Sequence, residues 1–164
     1  DYETILKSFS LFSKKFEDWR LEIYGIGGEE MKIKKLSNEL SLEKKVSFCG
    51  TVDRVYLGNI LKETKVYLIN SIEEGLPKSL LEAMISGCAC ISSDAGECKN
   101  VLTTYGLVVR KKNILETSNA LIMLAKDEKY AQKIAESCQK KGRNYTWPKY
   151  INNHYKEYLR LLNK

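Results

Sequence analysis

Short apolar runs rich in β-branched and aromatic residues alternate with amphipathic stretches over most of the chain, and this rhythm limits the possible folds more than any other feature. Val66-Tyr67-Leu68-Ile69, Cys88-Ala89-Cys90-Ile91-Ser92 and Leu107-Val108-Val109 are three such runs, each bounded by polar residues or glycine. Upstream, Trp19 to Tyr24 alternates toward a strand that ends in Gly25-Ile26-Gly27-Gly28, and Val46-Ser47-Phe48 runs into a turn at Gly50. Helical spacing fills the intervals. Ile5, Phe9, Phe12 and Phe16 form one stripe, Ile33, Leu36 and Leu40 another within about Glu29 to Leu40, and further helices run through Ile60-Leu61 and after Pro77. Strands separated by whole helices must be joined by crossovers, so they pair in parallel, and the helices then cover both sheet faces. An α/β fold follows. After Arg110 only helices are expected, marked by Ile114, Leu115, Ala120, Leu121 and Leu124, then by Tyr130 to Gly142, then by Tyr150, His154, Tyr155, Tyr158, Leu159 and Leu162.

At 164 residues the chain suits a single domain over 1–164, because a chain of this size buries roughly 70% of its unfolded surface. No apolar run approaches the ~20 residues needed to cross a bilayer. No basic-then-apolar signal pattern opens the chain, and there is no initiating methionine. The first residues already read as helix, so a fragment of a longer polypeptide is expected. The five cysteines are odd in number and lack the Cys-x-x-Cys spacing of metal sites, which fits a reduced, cytoplasmic setting. Cys88 and Cys90 fall two apart in a strand, so both should fill the same buried face. The net charge of +6 is spread over helix faces with glutamates interleaved, and no basic, aromatic strand for stacking bases is present. Nucleic acid is therefore not an expected partner, whereas peripheral contact with an anionic membrane is compatible with the charge.

The segment with most chemical content is Ser71-Ile72-Glu73-Glu74-Gly75-Leu76-Pro77-Lys78-Ser79-Leu80-Leu81-Glu82-Ala83-Met84. It follows the strand Val66 to Ile69, so it lies at a strand's carboxyl end, where open α/β sheets bind ligands. Proline is tolerated in a first helical turn, which places the helix start near Leu76 or Pro77. The free amide hydrogens and positive dipole end of that helix favour a phosphate. Gly75 allows the backbone close to a ligand. Glu74, before the helix, and Glu82, within it, are acceptors suited to vicinal hydroxyls. A ligand that carries both phosphate and sugar hydroxyls would use all of these groups.

Glu74-Gly75-Leu76 through Glu82-Ala83-Met84 and Gly87, followed by a strand and Asp94-Ala95-Gly96-Glu97, resembles the donor-binding signature of family-four-type retaining glycosyltransferases of the GT-B fold. Trp19 to Gly28, Val46 to Val52 and Trp147 to Leu161 resemble the family's glycine-loop strand, its "V-x-F-x-G-x-V" segment and its closing aromatic helix. The resemblance implies the Rossmann-like C-terminal half of a two-domain enzyme, with the acceptor-binding N-terminal domain outside this chain. It implies that Glu82 binds ribose hydroxyls. Glu74, the catalytic-site residue, would hold hydroxyls of the transferred sugar. Amides of Gly75 and Leu76 would meet sugar or diphosphate, and Gly50, Val52 and Arg54 would lie near the base. Ser71 would support the loop, and Gly25 and Gly27 would line the crevice. The implied donor is a UDP- or GDP-hexose, and the acceptor a glycan or lipid-linked molecule. No cofactor or divalent metal is implied, and no Asp-x-Asp motif is present.

The departures from the pattern matter. The family's diphosphate-neutralising Arg and Lys belong upstream of this chain, so Lys78 is the nearest replacement, although a solvated helix-surface lysine is the plainer reading. Gly75-Leu76-Pro77 stands for the usual Gly-Phe-Gly, and Cys88-Ala89 for a common Pro-Val. Glu82 could instead simply pair with Lys78 four residues back, an interaction of a few tenths of a kcal/mol. His154 reads as a packed or capped residue of the last helix rather than a catalytic one. A GT-B sugar-nucleotide epimerase and a non-catalytic nucleotide-binding module are the alternatives.

Overall fold

The computed structural model describes residues 1–162. Five parallel strands alternate with helices, as the rhythm of the sequence requires. The strands are β1 (Leu21–Tyr24), β2 (Val46–Gly50), β3 (Val66–Ile69), β4 (Ala89–Ser93) and β5 (Leu107–Val109). Helix α1 (Tyr2–Ser13) precedes them, and α2 (Glu30–Glu39), α3 (Arg54–Glu63), α4 (Lys78–Ser86) and α5 (Glu97–Leu102) connect them. Three helices close the chain: α6 (Ile114–Lys126), α7 (Glu128–Gly142) and, after a 3-10 turn at Arg143–Tyr145, α8 (Trp147–Leu162). The side chains of Trp147 and Tyr150, part of the expected closing aromatic helix, lie outside the described residues. His154 is exposed on α8.

Local chemistry accounts for the helix ends. Asp1, Asp53, Asn113 and Asp127 each accept a hydrogen bond from the amide three residues on, at 3.1, 2.8, 2.9 and 2.9 Å, and so cap α1, α3, α6 and α7. Helix α4 stops at Gly87, whose φ of +92° is the left-handed turn that glycine adopts without a Cβ penalty. The Cys88 amide then bonds back to the Ala83 carbonyl, which delays β4 to Ala89 rather than Cys88.

Alternate residues of β3, β4 and β5 feed two cores, and β1 and β2 feed the first of them. On one face Val66, Leu68, Ala89 and Ile91 pack with Leu6, Phe9 and Phe12 of α1 and Leu121 and Leu124 of α6. Phe12 stacks on Phe16 at 4.9 Å and meets Trp19 edge-on at 5.4 Å. On the other face Tyr67, Ile69 and Cys90, with Cys88 beside them, pack with Leu80, Ala83 and Met84 of α4 and Cys138 of α7. Cys88 and Cys90 thus share one face and are fully buried, as expected of thiols acting as small apolar residues.

The parallel strands fall into two ladders. β1 pairs with β2, with Leu21 opposite Val46, whereas β4 lies between β3 and β5, with Val66 opposite Ala89 and Ile91 opposite Leu107. No ladder joins β1 to β3. Because every strand runs the same way, all five carboxyl ends open on one rim.

Candidate functional site

Two loops form the β1–β2 side of that rim. The Gly25 amide donates to the Gly50 carbonyl at 2.7 Å, and both glycines have positive φ, +118° and +65°. These turns need glycine and lie side by side. Gly27 is exposed, Val52 is half-buried behind Gly50, and Arg54 is the exposed first residue of α3, beyond the Asp53 cap. Of the five expected residues on this side, Gly25 and Gly50 are in direct contact.

The β3–α4 loop forms the other side. Its first residue, Ser71, is held by Ser93 at the end of β4. The Ser71 amide donates to Ser93 Oγ at 2.9 Å, and the Ser93 hydroxyl donates back to the Ser71 carbonyl at 2.8 Å. Further on, half-buried Glu74 rests against Gly96, whose φ of +46° and missing side chain admit the loop; a Cβ there would overlap the Glu74 carbonyl oxygen. Glu74 is close enough to act electrostatically on two neighbours. Burial, and then the Glu74 charge, push the Cys98 thiol up to about 11. Burial lowers the Asp1 α-amino group from its usual value, and Glu74 opposes that shift. A Cβ at Gly75 would meet nothing within 4 Å, so this exposed glycine leaves open space above the backbone.

Helix α4 begins at Lys78, with Pro77 as its N-cap at φ −70° and ψ +120°, one residue later than the sequence suggests. Proline's extended ψ keeps it outside the helix, so the free first-turn amides belong to Lys78, Ser79 and Leu80. Leu76 and Lys78 are exposed beside them. Glu82 lies one turn in and faces a cleft of about 760 Å³, which Ser71, Ser79, Asn70 and Tyr24 also line. No ion pair joins Glu82 to Lys78 among the described residues, so the carboxylate keeps its acceptor capacity.

The structure thus brings Ser71 and Glu82 to one cleft, with Glu74, Gly75, Leu76 and Lys78 in the loop and helix start between them, whereas none of Gly25, Gly27, Gly50, Val52 and Arg54 lines that cleft. Ser93, Asn70 and Ser79 escaped the sequence reading. Only Ser93 had a usable signal, a polar pair Ser92-Ser93 ending an apolar strand, and both are buried. Asp94 accepts from the Lys111 amide at 2.9 Å and so ties the end of β4 to the β5–α6 turn. Among the described residues no group of three His, Cys, Asp or Glu is placed to hold a metal ion, and no helix is long and apolar enough to cross a membrane.

The family described as glycosyl transferases group 1 matches residues 1–143. The poly(glycerol-phosphate) alpha-glucosyltransferase of Bacillus subtilis is 31% identical over 151 residues, which are 90% of this chain and 22% of that protein. Among solved structures, sucrose-phosphate synthase from Thermosynechococcus elongatus superposes with a TM-score of 0.87 at 20% identity, over 99% of this chain and 42% of the other. The pneumococcal O-GlcNAc transferase in complex with UDP and GlcNAc gives a TM-score of 0.83 at 18% identity, over 98% and 33% of the two chains. This chain therefore spans less than half the length of each of these relatives.

Proposed function

Since the chain belongs to the group 1 glycosyl transferases, we propose that it is the C-terminal, donor-binding half of a retaining glycosyltransferase that carries a hexose from a nucleoside diphosphate to a polysaccharide or lipid-linked acceptor. One observation carries this reading. Two carboxylates, Glu74 and Glu82, flank the free amides of Lys78, Ser79 and Leu80 at the carboxyl rim of a parallel sheet. The amides and dipole end of α4 hold the diphosphate. Glu82, unpaired and in reach of the cleft, accepts from the ribose hydroxyls, and Glu74, fixed against Gly96, accepts from hydroxyls of the sugar. Gly75 keeps the loop backbone open to the donor, and the Gly25, Gly27, Gly50, Val52 and Arg54 patch borders the base. Lys78 adds positive charge. No metal or cofactor takes part. The name of the Bacillus subtilis relative and the UDP in the pneumococcal structure support a nucleotide-sugar donor and a polymeric acceptor. A cytoplasmic enzyme working beside the membrane fits such an acceptor, which the N-terminal domain of the whole protein would bind.

Calorimetric titration of the chain with UDP, GDP and ADP, repeated on Glu82→Ala, tests the donor site. One diphosphate should bind, and loss of hydrogen bonds to a charged group, about 1.5–3 kcal/mol, should weaken it about tenfold or more. No binding at millimolar nucleotide, or an affinity unmoved by Glu82→Ala, refutes the assignment. Retention is tested separately, by NMR of the product anomer formed by the complete enzyme.

A further inference from the structure

The positive charge is unevenly divided along the chain. Residues 1–109 hold 14 lysines and arginines against 16 aspartates and glutamates, whereas residues 110–164 hold 13 against 5. Every lysine of α1 and α2 has a glutamate within about one turn. Lys7 meets Glu3 at 2.6 Å, Lys32 meets Glu29 at 2.9 Å, Lys34 meets Glu30 at 2.6 Å and Lys35 meets Glu39 at 3.8 Å. Such pairs are what a solvated helix face is made of. Helix α7 is built otherwise. Its Ala131, Ile134, Ala135 and Cys138 pack into the cores, which leaves Lys129, Lys133 and Lys140, at i, i+4 and i+11, as an exposed stripe on the opposite side. The stripe covers about 16 Å of helix, and exposed Arg143 continues it into the 3-10 turn. Among the described residues none of these four cations has an ion-pair partner. Glu136, the acid of the stripe, accepts from Gln132 Nε2 at 3.0 Å, and Glu128 faces Lys65 at 3.9 Å. Lys141 is set apart from the stripe, over the rings of Tyr105 and Tyr145 at 5.0 and 5.6 Å.

We propose that the α7 stripe of Lys129, Lys133, Lys140 and Arg143 is the surface by which the enzyme rests on a bilayer rich in anionic lipid. Unpaired cations gathered on one helix face are the electrostatic signature of lipid headgroups, which meet all of them at once. A single polyanionic chain is instead held in a basic groove with aromatic rings, and none of the four residues lines the Glu82 cleft. The contact is one of charge alone, so it is reversible and screened by salt. It also leaves the donor rim open. Gln139 Nε2 donates to the Ile85 carbonyl at 3.1 Å, in the last turn of α4, and Glu128 faces Lys65, the residue before β3. Helix α7 therefore lies toward the amino ends of the strands, away from Glu74 and the free amides of α4. This surface presupposes the reading above that the enzyme works beside a membrane, and is independent of the donor assignment.

The test is flotation of the chain with vesicles of equimolar phosphatidylglycerol and phosphatidylcholine, and with vesicles of phosphatidylcholine alone. The chain should bind the anionic vesicles only and leave them in high salt. The triple variant Lys129→Gln, Lys133→Gln, Lys140→Gln should bind at least about tenfold more weakly, because each Lys or Arg near such a surface contributes about fivefold. A control, Lys32→Gln, Lys34→Gln, Lys35→Gln, removes the same charge from α2 and should bind as the original does. Circular dichroism should show both variants folded as the original is. A triple variant that keeps its binding overturns this surface and leaves a membrane-side enzyme standing. Equal loss in the control, binding that survives high salt, or displacement from the vesicles by soluble polyphosphate at matched phosphate concentration would each overturn it as well. So would no binding by this chain, whereas the membrane-side reading itself fails only if the complete enzyme floats with neither vesicle.

Discussion

Replacing Gly96 by alanine separates the backbone that shapes the candidate site from the side chains around it. Gly96 sits at φ +46° and ψ −132°, a combination that residues with a Cβ avoid, and holding alanine there costs about 1–3 kcal/mol. The added Cβ would also overlap the Glu74 carbonyl oxygen and come within 2.9 Å of the Glu74 carbonyl carbon. Those are backbone atoms, so the clash is relieved only by parting the two loops. Gly75→Ala is the internal control. Its Cβ meets nothing within 4 Å and its φ lies outside the positive range. There, loss of chain freedom in the unfolded state should stabilise by about 0.4–1 kcal/mol. The two variants should therefore differ by about 1.4–4 kcal/mol, which at 2–4 °C per kcal/mol is a gap of about 3–16 °C in melting temperature. Scanning calorimetry reads that gap, and titration with UDP reads its consequence. Gly75→Ala should weaken nucleotide binding with no loss of stability, because the methyl group enters the open space of the proposed donor site. Gly96→Ala should lose both. Equal melting temperatures for the two variants would refute the claim that Glu74 is positioned by its contact with Gly96.

Alkylation of the native protein should modify one thiol, Cys49, because Cys88, Cys90, Cys98 and Cys138 are buried and burial pushes Cys88 up to about 12. Mass spectrometry should count one adduct in buffer and five in guanidinium; two or more in buffer would refute it. Glu116 accepts from the Arg110 backbone amide at 2.8 Å and from its guanidinium, and these bonds, the backbone one first, hold its carboxyl below 4.5. A depressed native value means stabilisation that is complete above the unfolded value and lost as pH falls through the native one. In an NMR titration Arg110→Ala should move the Glu116 midpoint partway up toward 4.5, and an unmoved midpoint would exclude the guanidinium's share. Phe12→Ala removes a fully buried ring that packs on Phe16 and Trp19, and should cost about 3–5 kcal/mol, read as a lower urea midpoint.

What could be read in advance was local. Strand positions follow from alternation that one segment carries by itself: Val66 and Leu68 face α1 and α6, Tyr67 and Ile69 face α4. Leu107 to Val109 became β5 to the residue. Pairing is a different kind of information. A parallel partner lies a whole crossover away, as Ala89 does from Val66, so nothing near β1 or β3 in the sequence says that the two fail to meet. The site divides in the same manner. The placement of Glu74, Gly75 and Glu82 was legible because a strand, a turn and a helix start are consecutive, and consecutive residues fix one another's positions. The Ser93 hydroxyl that anchors Ser71, and the Gly96 turn that seats Glu74, act across distant segments. The two glycines show why. Gly75 and Gly96 are indistinguishable as letters, and the pattern draws attention to Gly75 because it adjoins Glu74. Only the fold reveals which has empty space over its α-carbon and which is pressed against another backbone. Folding therefore needs the less conspicuous glycine, and the conspicuous one leaves the space over its α-carbon open.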